Sequence, residues 1–474
     1  MFNFTKNASA KMSANTTSKV SSNLSSSEFV LTPPMSLAHK LLKQHENILI
    51  VGKAGSGKSS FLRYFTQQTS KNYVVLAPTG VSAINIQGQT IHSFFEFGIN
   101  INPIEARTKR YSNRLTQLLH ALDILIIDEI SMVRADLLDS INFAMQKVLK
   151  NKRPFGGIQT LFIGDLFQLP PVIQKQDKEV LSYFQYNTFY FFSSHVLNSP
   201  QYNITPVIFD KIFRQKQEDT DNKRFVTILN KIRTGKATDL DLAFLNKKTV
   251  RKPHKNKTYI YLTSTNKRAN TINSYKLAKL PGKQYTYHAQ TTGDFQAKKH
   301  IAEEVLKLKI NAQVMLINND KPGRWINGTM GTIIDIKPDP QLPENSAHKD
   351  IIYVQLSDTK QIVEVQPNTW EQYKYTFNKE KTSVETDIIG TLTQYPIKLA
   401  WAVTIHKSQG QTFDNVILDL STRLFAPGQL YVALSRVRSI KGLILSRPLK
   451  KHDVIIDQEL LNWWENFLNR HAKA

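Results

Sequence analysis

Short apolar segments alternate with longer segments of helical periodicity from residue 48 onward. The apolar runs predicted to be buried strands are ILIV (Ile48–Val51), YVVLA (Tyr73–Ala77), ILIID (Ile124–Asp128) and TLFIGD (Thr160–Asp165). Between the last two, ADLLDSINFAMQKVLK carries apolar residues at the spacing of one helix face, namely Leu137, Leu138, Ile141, Met145 and Val148. Strands and helices in this alternation predict a parallel, doubly wound α/β sheet.

A second α/β unit begins near residue 258 and is then interrupted. YIYLTS (Tyr259–Ser264) predicts a strand, and NKRANTINSYKLAKL predicts the helix that follows it. Between about residues 281 and 394, the segments AQVMLI, GTIIDI, DIIYVQL and QIVEV are β-rich and are separated by turn signals such as Asn327-Gly328. This change of pattern predicts a small antiparallel β-barrel inserted into the second α/β unit.

The α/β pattern returns with NVILDL and GLILS, and a helical segment closes the chain. This last segment carries Trp463, Trp464, Phe467 and Leu468 at helical spacing. Aromatic residues on one helix face more often pack into a core than stack on nucleic-acid bases. We therefore predict that these residues belong to a core.

Charge is the feature of the composition that indicates a class of partner: the 474 residues include 62 Lys and Arg against 38 Asp and Glu, a net charge of +24. Such a surplus indicates a polyanionic partner, because each cation that neutralises a phosphate releases counterions. The alternative is a basic surface that only keeps the protein soluble. The chain has no cysteine, which excludes disulfides and thiolate metal sites. Its apolar runs are far shorter than the ~20 residues of a membrane span, so we expect a soluble protein.

The N-terminal stretch differs in composition from the rest of the chain. Residues 1–27 contain no acid and are rich in Ser, Asn, Thr and Lys. This composition cannot bury a core, and we predict a disordered tail over residues 1–30. A mitochondrial transit peptide is the alternative, although such peptides normally carry Arg and this stretch has none.

The segment GKAGSGKS (Gly52–Ser59) matches the phosphate-binding pattern G-x-x-x-x-G-K-[ST] between a predicted strand and the helical SFLRYF. Backbone N–H groups of such a loop and the following helix N-terminus close around phosphates. Lys58 would reach the β- and γ-phosphates, and the Ser59 hydroxyl would bind magnesium. The residues predicted to contact the nucleotide here are Gly52, Ala54, Gly55, Ser56, Gly57, Lys58, Ser59 and Ser60.

The segment ILIIDEIS supplies the acidic partners of this loop. Asp128, at the end of a strand, would hold the magnesium shell, and Glu129 could polarise the attacking water. Adjacent acids at a strand end can also cap a helix. Together with the phosphate-binding loop, these residues predict a nucleoside triphosphatase that uses Mg²⁺.

The order of the further motifs resembles a superfamily-one helicase, and is most similar to the Pif-one (petite integration frequency) family, related to RecD-type enzymes. The motifs that carry this resemblance are APTGVSAINIQGQTIHSFF (Ala77–Phe95), DEISM, PFGGIQTLFIGDLFQLPPV, IFRQ (Ile212–Gln215), LTSTNKRANTIN, LKLKINAQVMLINND, WINGTMGTI, LAWAVTIHKSQGQTFDNVILDL and GQLYVALSRVRS. They extend over about residues 32–448, and residues 131–154 resemble that family's own signature region.

The resemblance implies two RecA-like P-loop domains with ATP between them. We expect residues 31–200 to form the first, with a small wedge insertion near residues 95–118. Residues 201–280 and 395–455 would form the second, residues 281–394 the inserted barrel and residues 456–474 a C-terminal helix. The resemblance further implies movement along single-stranded DNA in the 5′-to-3′ direction with separation of the duplex ahead.

The resemblance also assigns catalytic roles to residues of the second domain. Arg214 in IFRQ and Arg436 in ALSRVR match arginine fingers that touch the γ-phosphate across the cleft, which can be worth about 10³–10⁵ in rate. Gln409 and Gly410 match positions that contact the nucleotide. Each arginine alone would more often be a surface or ion-pair residue, and the order of the motifs is what favours the catalytic interpretation.

Segments that line the DNA strand in this family are matched by Thr79, His92, Ser93 and Phe94 in the first domain and by Thr404, His406 and Lys407 in the second. Polar groups there would grip phosphates, and Phe94 or Phe95 would lie against bases. The alternative to DNA contact for His92 and His406 is a purely structural role. The run NKKTVRKPHKNK (Asn246–Lys257) is interpreted as a solvated basic loop, with phosphate contact as the alternative.

Two further positions raise specific expectations. In GDLFQLPPV (Gly164–Val172), Gln168 would emerge beside the γ-phosphate, where an amide can donate and accept hydrogen bonds. The adjacent prolines would stiffen the chain toward the DNA, which makes Gln168 a candidate link between hydrolysis and movement. Relatives usually carry a Gln that reads adenine ahead of the phosphate-binding loop, whereas this chain has Met35 near that position.

These features together predict an ATP-dependent 5′-to-3′ DNA helicase acting in DNA replication, repair, recombination or telomere maintenance. The alternatives are a DNA-stimulated translocase that remodels protein–DNA complexes without separating strands, and a DNA-binding protein with a decayed phosphate site. The expected partners are single-stranded and forked DNA, with G-quadruplexes and RNA–DNA hybrids left open and no membrane. We expect a monomer, or a dimer on DNA, inside the cell: in the cytoplasm or nucleoid of a prokaryote, or in a nucleus or mitochondrion.

Overall fold

The computed structural model describes residues 30–98, 101–171, 173, 175–213, 219–254, 257–295, 301–320, 322–343, 346–378 and 383–471. Residues 1–29 of the tail predicted over residues 1–30, and the predicted arginine finger Arg214, lie outside these ranges. None of the helices in the described ranges has the length and apolar character that crossing a bilayer requires.

A parallel sheet is the centre of the first α/β unit. Its strands are β1 (Ile48–Gly52), β2 (Tyr73–Ala77), β3 (Gln89–Thr90), β4 (Ile124–Ile127), β5 (Gln159–Gly164) and β6 (Thr205–Phe209). They are hydrogen-bonded in the order β3-β2-β4-β5-β1-β6. All residues of β1, β4 and β5 are buried, as expected for parallel strands covered on both faces. The predicted parallel α/β class is therefore confirmed.

Helices cover both faces of this sheet. They are α1 (Pro33–Lys43), α2 (Lys58–Gln68), α3 (Gly80–Asn85), α4 (Ile91–Phe94), α5 (Pro103–Thr108), α6 (Asn113–Ala121), α7 (Ala135–Leu149) and α8 (Lys175–Tyr183). Because successive strand residues point to opposite faces, Ile48 and Ile50 pack with α1 and α2, whereas Leu49 and Val51 pack with α6 and α7. The sheet thereby carries one apolar cluster on each face.

A second parallel sheet forms the other α/β unit. Its strands β7 (Ile260–Thr263), β18 (Ala402–Thr404), β19 (Val416–Leu418) and β20 (Leu443–Leu445) are ordered β18-β7-β19-β20. Its helices are α9 (Thr220–Arg233), α10 (Asp239–Thr249), α11 (Asn266–Lys279) and α12 (Gln429–Leu434). The interpretation of Asn246–Lys257 as a loop is wrong for its first residues, which form the last turn of α10. The amide of Asn246 anchors that turn through two hydrogen bonds to the backbone of Leu449.

The chain between β7 with α11 and β18 is β-rich, as predicted. Its strands are β8 (Tyr285–His288), β9 (Gln290–Gly293), β10 (Val305–Leu308), β11 (Gln313–Leu316), β12 (Met330–Pro338), β13 (Asp350–Leu356), β14 (Ile362–Val365), β15 (Asn368–Asn378), β16 (Ser383–Gln394) and β17 (Ile397–Leu399). They form antiparallel sheets ordered β14-β13-β12-β11-β17, β15-β16-β9 and β10-β8. Among the described residues no pairing joins β14 to β17, so a closed barrel stays a prediction.

The long hairpin of β15 and β16 extends from this inserted region to the first unit. Tyr375 of β15 is 5% exposed and belongs to the apolar cluster of the first unit. Its ring packs edge-to-face on Phe94 with centroids 5.9 Å apart, and its carbonyl accepts a hydrogen bond from Arg114. The inserted region is therefore packed against the first unit as well as joined to the second.

The C-terminal helix α13 (Gln458–His471) returns to the first unit. Trp464 and Phe467 are buried in its larger apolar cluster, and Trp463 stacks on Phe192 with ring centroids 4.2 Å apart. The predicted core role of these aromatic residues is confirmed. Short 3₁₀ helices complete the described secondary structure at Ile130–Met132, Pro154–Gly157, Phe191–Ser193, Ile440–Gly442 and Lys451–Asp453.

Candidate nucleotide site and DNA contacts

A cavity of about 940 Å³ lies at the C-terminal ends of β1 and β4, in contact with both α/β units and the inserted region. The first unit lines it with residues 54–60, Asp128, Glu129 and Gln168, the second with Gly410, Thr412, Phe413, Asp414, Arg436 and Arg438, and the inserted region with residues 326–330, Ser357 and Asp358. Open α/β sheets bind ligands at this end of their strands, and the volume suits a small-molecule ligand.

The loop Gly52–Ser59 has the backbone that a phosphate-binding loop requires. Gly55 and Gly57 have φ of 77° and 88°, a region that residues with a Cβ rarely adopt. Gly57 is the N-cap of α2, so the loop leads directly into a helix N-terminus. Unsatisfied N–H groups at such a terminus, together with the helix dipole, favour a bound anion.

Two side chains of this loop are suited to phosphate. Lys58 Nζ donates to the carbonyl oxygens of Gly52 and Lys53, at 2.7 and 3.1 Å, which holds the ammonium at the loop. The hydroxyl of Ser56 is buried and has no hydrogen-bond partner in the described part of the chain. A positioned cation and an unpaired buried hydroxyl beside the same cavity fit the oxygens of a nucleotide.

Asp128 and Glu129 follow β4 directly and face the same cavity. The N–H of Glu129 donates to Asp128 Oδ1 at 2.9 Å, and Glu129 has a φ of 52°, a costly conformation that is common at functional sites. Burial raises the pKa of Glu129 to about 7, and the charge of Asp128 acts in the same direction. Burial likewise raises the pKa of Asp128. A nearby cation would favour the ionised form of both carboxyl groups.

Arg436 reaches this cavity from the second unit. It is fully buried, and its guanidinium donates to the carbonyl oxygens of Val432 at 3.0 Å, Ser408 at 3.3 Å and Gln411 at 3.3 Å. Its charge lowers the pKa of Glu129, against the larger effect of burial. The structure therefore places one of the two predicted arginine fingers beside the predicted carboxylates.

The other predicted finger, Arg214, is outside the described residues, but its neighbour Phe213 is placed on the loop. The N–H of Phe213 donates to the carbonyl oxygen of Gly55 at 2.9 Å. Met35, 2% exposed, also lines the cavity, and its Cε lies 2.7 Å from where a Cβ on Gly57 would be. Met35 and Phe213 thus give this end of the cavity an apolar surface.

Gln168 lines the cavity and links the two units. Its Nε2 donates to Asp165 Oδ2 at 3.2 Å, and its Oε1 accepts from Gln409 Nε2 at 3.3 Å. Gln409, predicted as a nucleotide contact, therefore contacts Gln168, while its neighbour Gly410 lines the cavity. The amide of Gln168 both donates and accepts, as its predicted role requires.

Local hydrogen bonds hold the polar residues predicted to contact DNA. In the first unit, Thr79 Oγ1 donates to Ser82 Oγ at 2.9 Å, and Ser93 Oγ accepts from Gln89 Nε2 at 2.8 Å. In the second unit, the buried Thr404 accepts the N–H of Lys407 at 3.3 Å. These contacts orient the side chains at the ends of β2, α4 and β18, and the DNA contacts themselves stay predictions.

The two histidines of the predicted DNA track are half-buried. Burial lowers the pKa of His92, and the charge of Arg134 lowers it further. Burial also lowers the pKa of His406. Both imidazoles are therefore neutral near pH 7. Neutral rings can contact DNA through hydrogen bonds or stacking but contribute no charge to phosphate binding.

The prediction that Phe94 or Phe95 lies against DNA bases is wrong for this structure. Both side chains are fully buried, and their rings pack edge-to-face with centroids 4.9 Å apart. Both belong to the large apolar cluster of the first unit. Because α4 is short and lies over this cluster, its aromatic residues fill the core beneath the surface that His92 and Ser93 occupy.

Two residues that the motifs did not single out lie beside the predicted track. Phe425 is 61% exposed and stacks parallel to His406 with centroids 6.3 Å apart. Lys398 of β17 is half-buried; burial lowers its pKa to about 8, and the charge of Lys407 acts in the same direction. An aromatic residue in the turn-rich FAPGQ and a lysine within the apolar PIKLAWA were the available sequence signals.

The sequence of this chain is similar to those of known helicases. Residues 37–242 match the model of the PIF1-like helicase family, and residues 399–439 match that of the UvrD-like helicase C-terminal domain. ATP-dependent DNA helicase Pif1 of Bdellovibrio bacteriovorus is 32% identical over 93% of this chain and 93% of its own length. ATP-dependent DNA helicase PIF1 of Candida albicans is 30% identical over 90% of this chain, which spans 55% of that relative.

Solved structures of Pif1 helicases are also similar to this chain. The crystal structure of Bacteroides sp. Pif1 in complex with ADP-AlF4 has a TM-score of 0.81 at 34% identity, and the match covers 94% of this chain and 98% of that one. Bacteroides Pif1 bound to ssDNA has a TM-score of 0.65 at 36% identity, with the same shares of the two chains covered. Unliganded Bacteroides Pif1 has a TM-score of 0.80, so the described arrangement is more similar to the structures solved without ssDNA than to the complex with ssDNA.

Proposed function

Because this chain belongs to the PIF1-like helicase family of ATP-dependent DNA helicases, we propose that it moves along single-stranded DNA in the 5′-to-3′ direction and unwinds the duplex ahead. The observation that best supports ATP-driven movement is one cavity that joins Lys58, Asp128 and Glu129 of one unit to Arg436 of the other. A nucleotide bound there would contact both units, so its hydrolysis can change their separation.

We assign the following roles in hydrolysis. Lys58 binds the terminal phosphates, and Glu129 positions the attacking water. The oxygens of Ser59 and Asp128 line the same cavity and fit a magnesium ion held by few protein ligands and by substrate phosphates. Magnesium would neutralise charge on those phosphates. No cluster of three or more His, Asp or Glu residues that could hold a metal ion occurs in the described ranges.

The second unit would complete the site only when it is close to the first. We propose that Arg436 and Arg214 stabilise charge on the γ-phosphate as hydrolysis proceeds. In the described arrangement the guanidinium of Arg436 is held by backbone carbonyl groups of its own unit. Backbone contacts of this kind fix its orientation, which lowers the cost of presenting the charge to a bound phosphate.

For DNA, we propose a track that uses Thr79 and Ser93 on one unit and Thr404 and Lys407 on the other. Phe425 would supply the aromatic surface that we first assigned to Phe94, because its ring is exposed and next to His406. Lys398 would add a second cation beside Lys407. Binding would be directed at the backbone and would fall steeply with salt.

The substrates we propose are single-stranded tails and forked duplexes, in replication, repair, recombination or telomere maintenance. Among related proteins, Bacteroides Pif1 has been solved bound to ssDNA, and a further structure concerns unwinding of forked dsDNA by two coordinating Pif1 helicases. We extend these substrates to this chain, together with activity on G-quadruplexes and RNA–DNA hybrids, which a backbone-directed track would tolerate.

An unwinding assay on partial duplexes tests the direction. Duplexes with a 5′ tail, a 3′ tail or no tail are mixed with the protein, ATP and magnesium, and strand release is followed by fluorescence. We expect release with the 5′ tail only. Release only with the 3′ tail would contradict the proposed direction. ATP hydrolysis without strand release on any substrate would instead identify a translocase that remodels protein–DNA complexes.

A further inference from the structure

The carboxylate of Asp165 joins elements of both α/β units. It follows β5 and is fully buried. Its Oδ1 accepts from Arg233 Nε and Nη2 at 3.4 and 3.2 Å, and its Oδ2 accepts from Gln168 Nε2 at 3.2 Å and from the hydroxyl of Tyr431 at 3.1 Å. Arg233 ends α9 and Tyr431 lies in α12, so one carboxylate of the first unit binds two side chains of the second.

Tyr431 also contacts the phosphate-binding loop. Its hydroxyl accepts the N–H of Ala54 at 3.2 Å and donates to Asp165 Oδ2 at 3.1 Å. A phenol has one proton and free lone pairs, so it can fill both roles at once. Burial raises the pKa of Tyr431 above its ordinary value, and the charge of Asp165 acts in the same direction, which keeps the hydroxyl protonated as a donor.

Close backbone packing holds the start of α12, the helix that carries Tyr431, against the segment Phe167–Leu169, which contacts both units. Gly428, the N-cap of α12, lies so close that a Cβ there would be 2.5 Å from the carbonyl oxygen of Phe167 and 2.7 Å from that of Gln168. Phe167 packs in the core of the first unit, whereas Leu169 packs in the core of the second. The segment that carries Gln168 is therefore anchored on both sides.

We propose that Tyr431 is a positioning residue for ATP hydrolysis, which connects the phosphate-binding loop at Ala54 to the Asp165–Gln168 pair. This inference rests on the proposed function and adds a residue to it. When the units are together, Gln168 is held by Asp165 and by Gln409, and it lines the cavity. When they separate, the hydroxyl and Gln409 move away together, and the amide of Gln168 keeps only its bond to Asp165. Hydrolysis would thereby depend on closure of the units.

The variant that isolates this contact is Tyr431→Phe, which keeps the ring and removes only the hydroxyl. We expect the ssDNA-stimulated kcat to fall about tenfold, the scale of one buried hydrogen bond. The KM for ATP and the Kd of a fluorescent ATP analogue should stay within about twofold, because the phosphate contacts remain. Loss of general structure would move all three quantities and the thermal midpoint.

A matched control is Tyr186→Phe. The hydroxyl of Tyr186 donates to the buried Asp139 at 2.7 Å, and neither residue lines the cavity. The control therefore loses the same kind of tyrosine–carboxylate bond in the first unit without a connection to the phosphate-binding loop. We expect its kcat and its stimulation by ssDNA to equal those of the unmodified protein.

A double variant tests whether Tyr431 acts through Gln168. If it does, Tyr431→Phe combined with Gln168→Ala should be no slower than Gln168→Ala alone, because the positioned group is already gone. Effects that multiply, or a kcat of Tyr431→Phe equal to that of the control, would overturn the positioning role. An unmodified protein without DNA-stimulated hydrolysis would instead overturn the proposed function, so the two failures are distinguishable.

Discussion

The hydroxyl of Tyr375 in the inserted hairpin accepts a hydrogen bond from the backbone N–H of Val75 at 3.0 Å. Val75 lies in β2, and β3 pairs with that strand only at Leu76 and Ala77. Tyr375 thus supplies a hydrogen-bond partner for the N–H of Val75, one residue before β2 begins to pair with β3. A side chain of the inserted region thereby completes the hydrogen bonds of a strand in the first unit.

The first prediction concerns the stability of this contact. Tyr375→Phe should lower the free energy of unfolding by about 1–3 kcal/mol, because the buried N–H of Val75 is left without a partner. The measurement is urea unfolding, whose midpoint and slope together give this free energy. Tyr373→Phe is the control: its hydroxyl bonds Glu371 within the same strand. The control should change stability by less than about 0.5 kcal/mol, and equal losses in both variants would contradict the role of Tyr375.

The second prediction concerns the ammonium of the phosphate-binding loop. Lys58→Ala should abolish ATP hydrolysis, because Lys58 is the lysine that the pattern places on the β- and γ-phosphates. Hydrolysis is measured by phosphate release with and without ssDNA. Lys53→Ala changes the other lysine of the loop, which the pattern does not require, and should keep most of the turnover. Turnover by Lys58→Ala at the level of this control would exclude the proposed site.

The third prediction concerns Arg436. Arg436→Ala should lower kcat about 10³-fold or more, the scale of an arginine finger, while ATP-analogue binding changes little. Because the side chain is buried and bonds to several carbonyl groups, the variant should also melt at a lower temperature. Turnover is therefore measured well below that midpoint. Arg436→Lys keeps the positive charge but lacks the forked N–H donors of the guanidinium, and it should recover part of the rate. Full turnover in the alanine variant would remove Arg436 from the catalytic set.

The fourth prediction concerns the exposed aromatic ring beside the track. Phe425→Ala should weaken binding of a fluorescent oligo-dT by about 1–3 kcal/mol, the usual contribution of stacking on one base. Tyr275→Ala is the matched control, since Tyr275 is 55% exposed on α11 and is not part of the proposed track. Equal affinities for the two variants would mean that bases stack elsewhere.

The fifth prediction is a pH dependence. Burial and the charge of Lys407 lower the pKa of Lys398 to about 8, while Glu303 opposes them. Lys398 is therefore charged below about pH 8 and loses its charge above it, so affinity for ssDNA should decline between about pH 7 and 9. Anisotropy titrations at constant ionic strength measure this. Lys398→Arg should bind equally across the range because arginine stays charged; the same decline in that variant would assign it to another group.

Local sequence patterns are sufficient to predict much of the candidate site. The phosphate-binding loop and the acids after β4 depend on residue types at fixed spacing next to a strand, and the structure places both at one cavity. The apolar runs likewise predicted the buried strands, because burial on both faces requires continuous apolar sequence. The resemblance of the motif order predicted the family that the comparisons then showed.

Tertiary structure alone decided which of the remaining residues meet. Phe94 follows the same local pattern as its polar neighbours, but packing against Phe95 and Tyr375 buries it. Tyr431 lies 377 positions from Ala54, and Tyr375 lies 300 positions from Val75, so neither hydrogen bond leaves a local trace. Such contacts form only when separate units pack together, because a buried polar group must find its partner wherever the fold brings one.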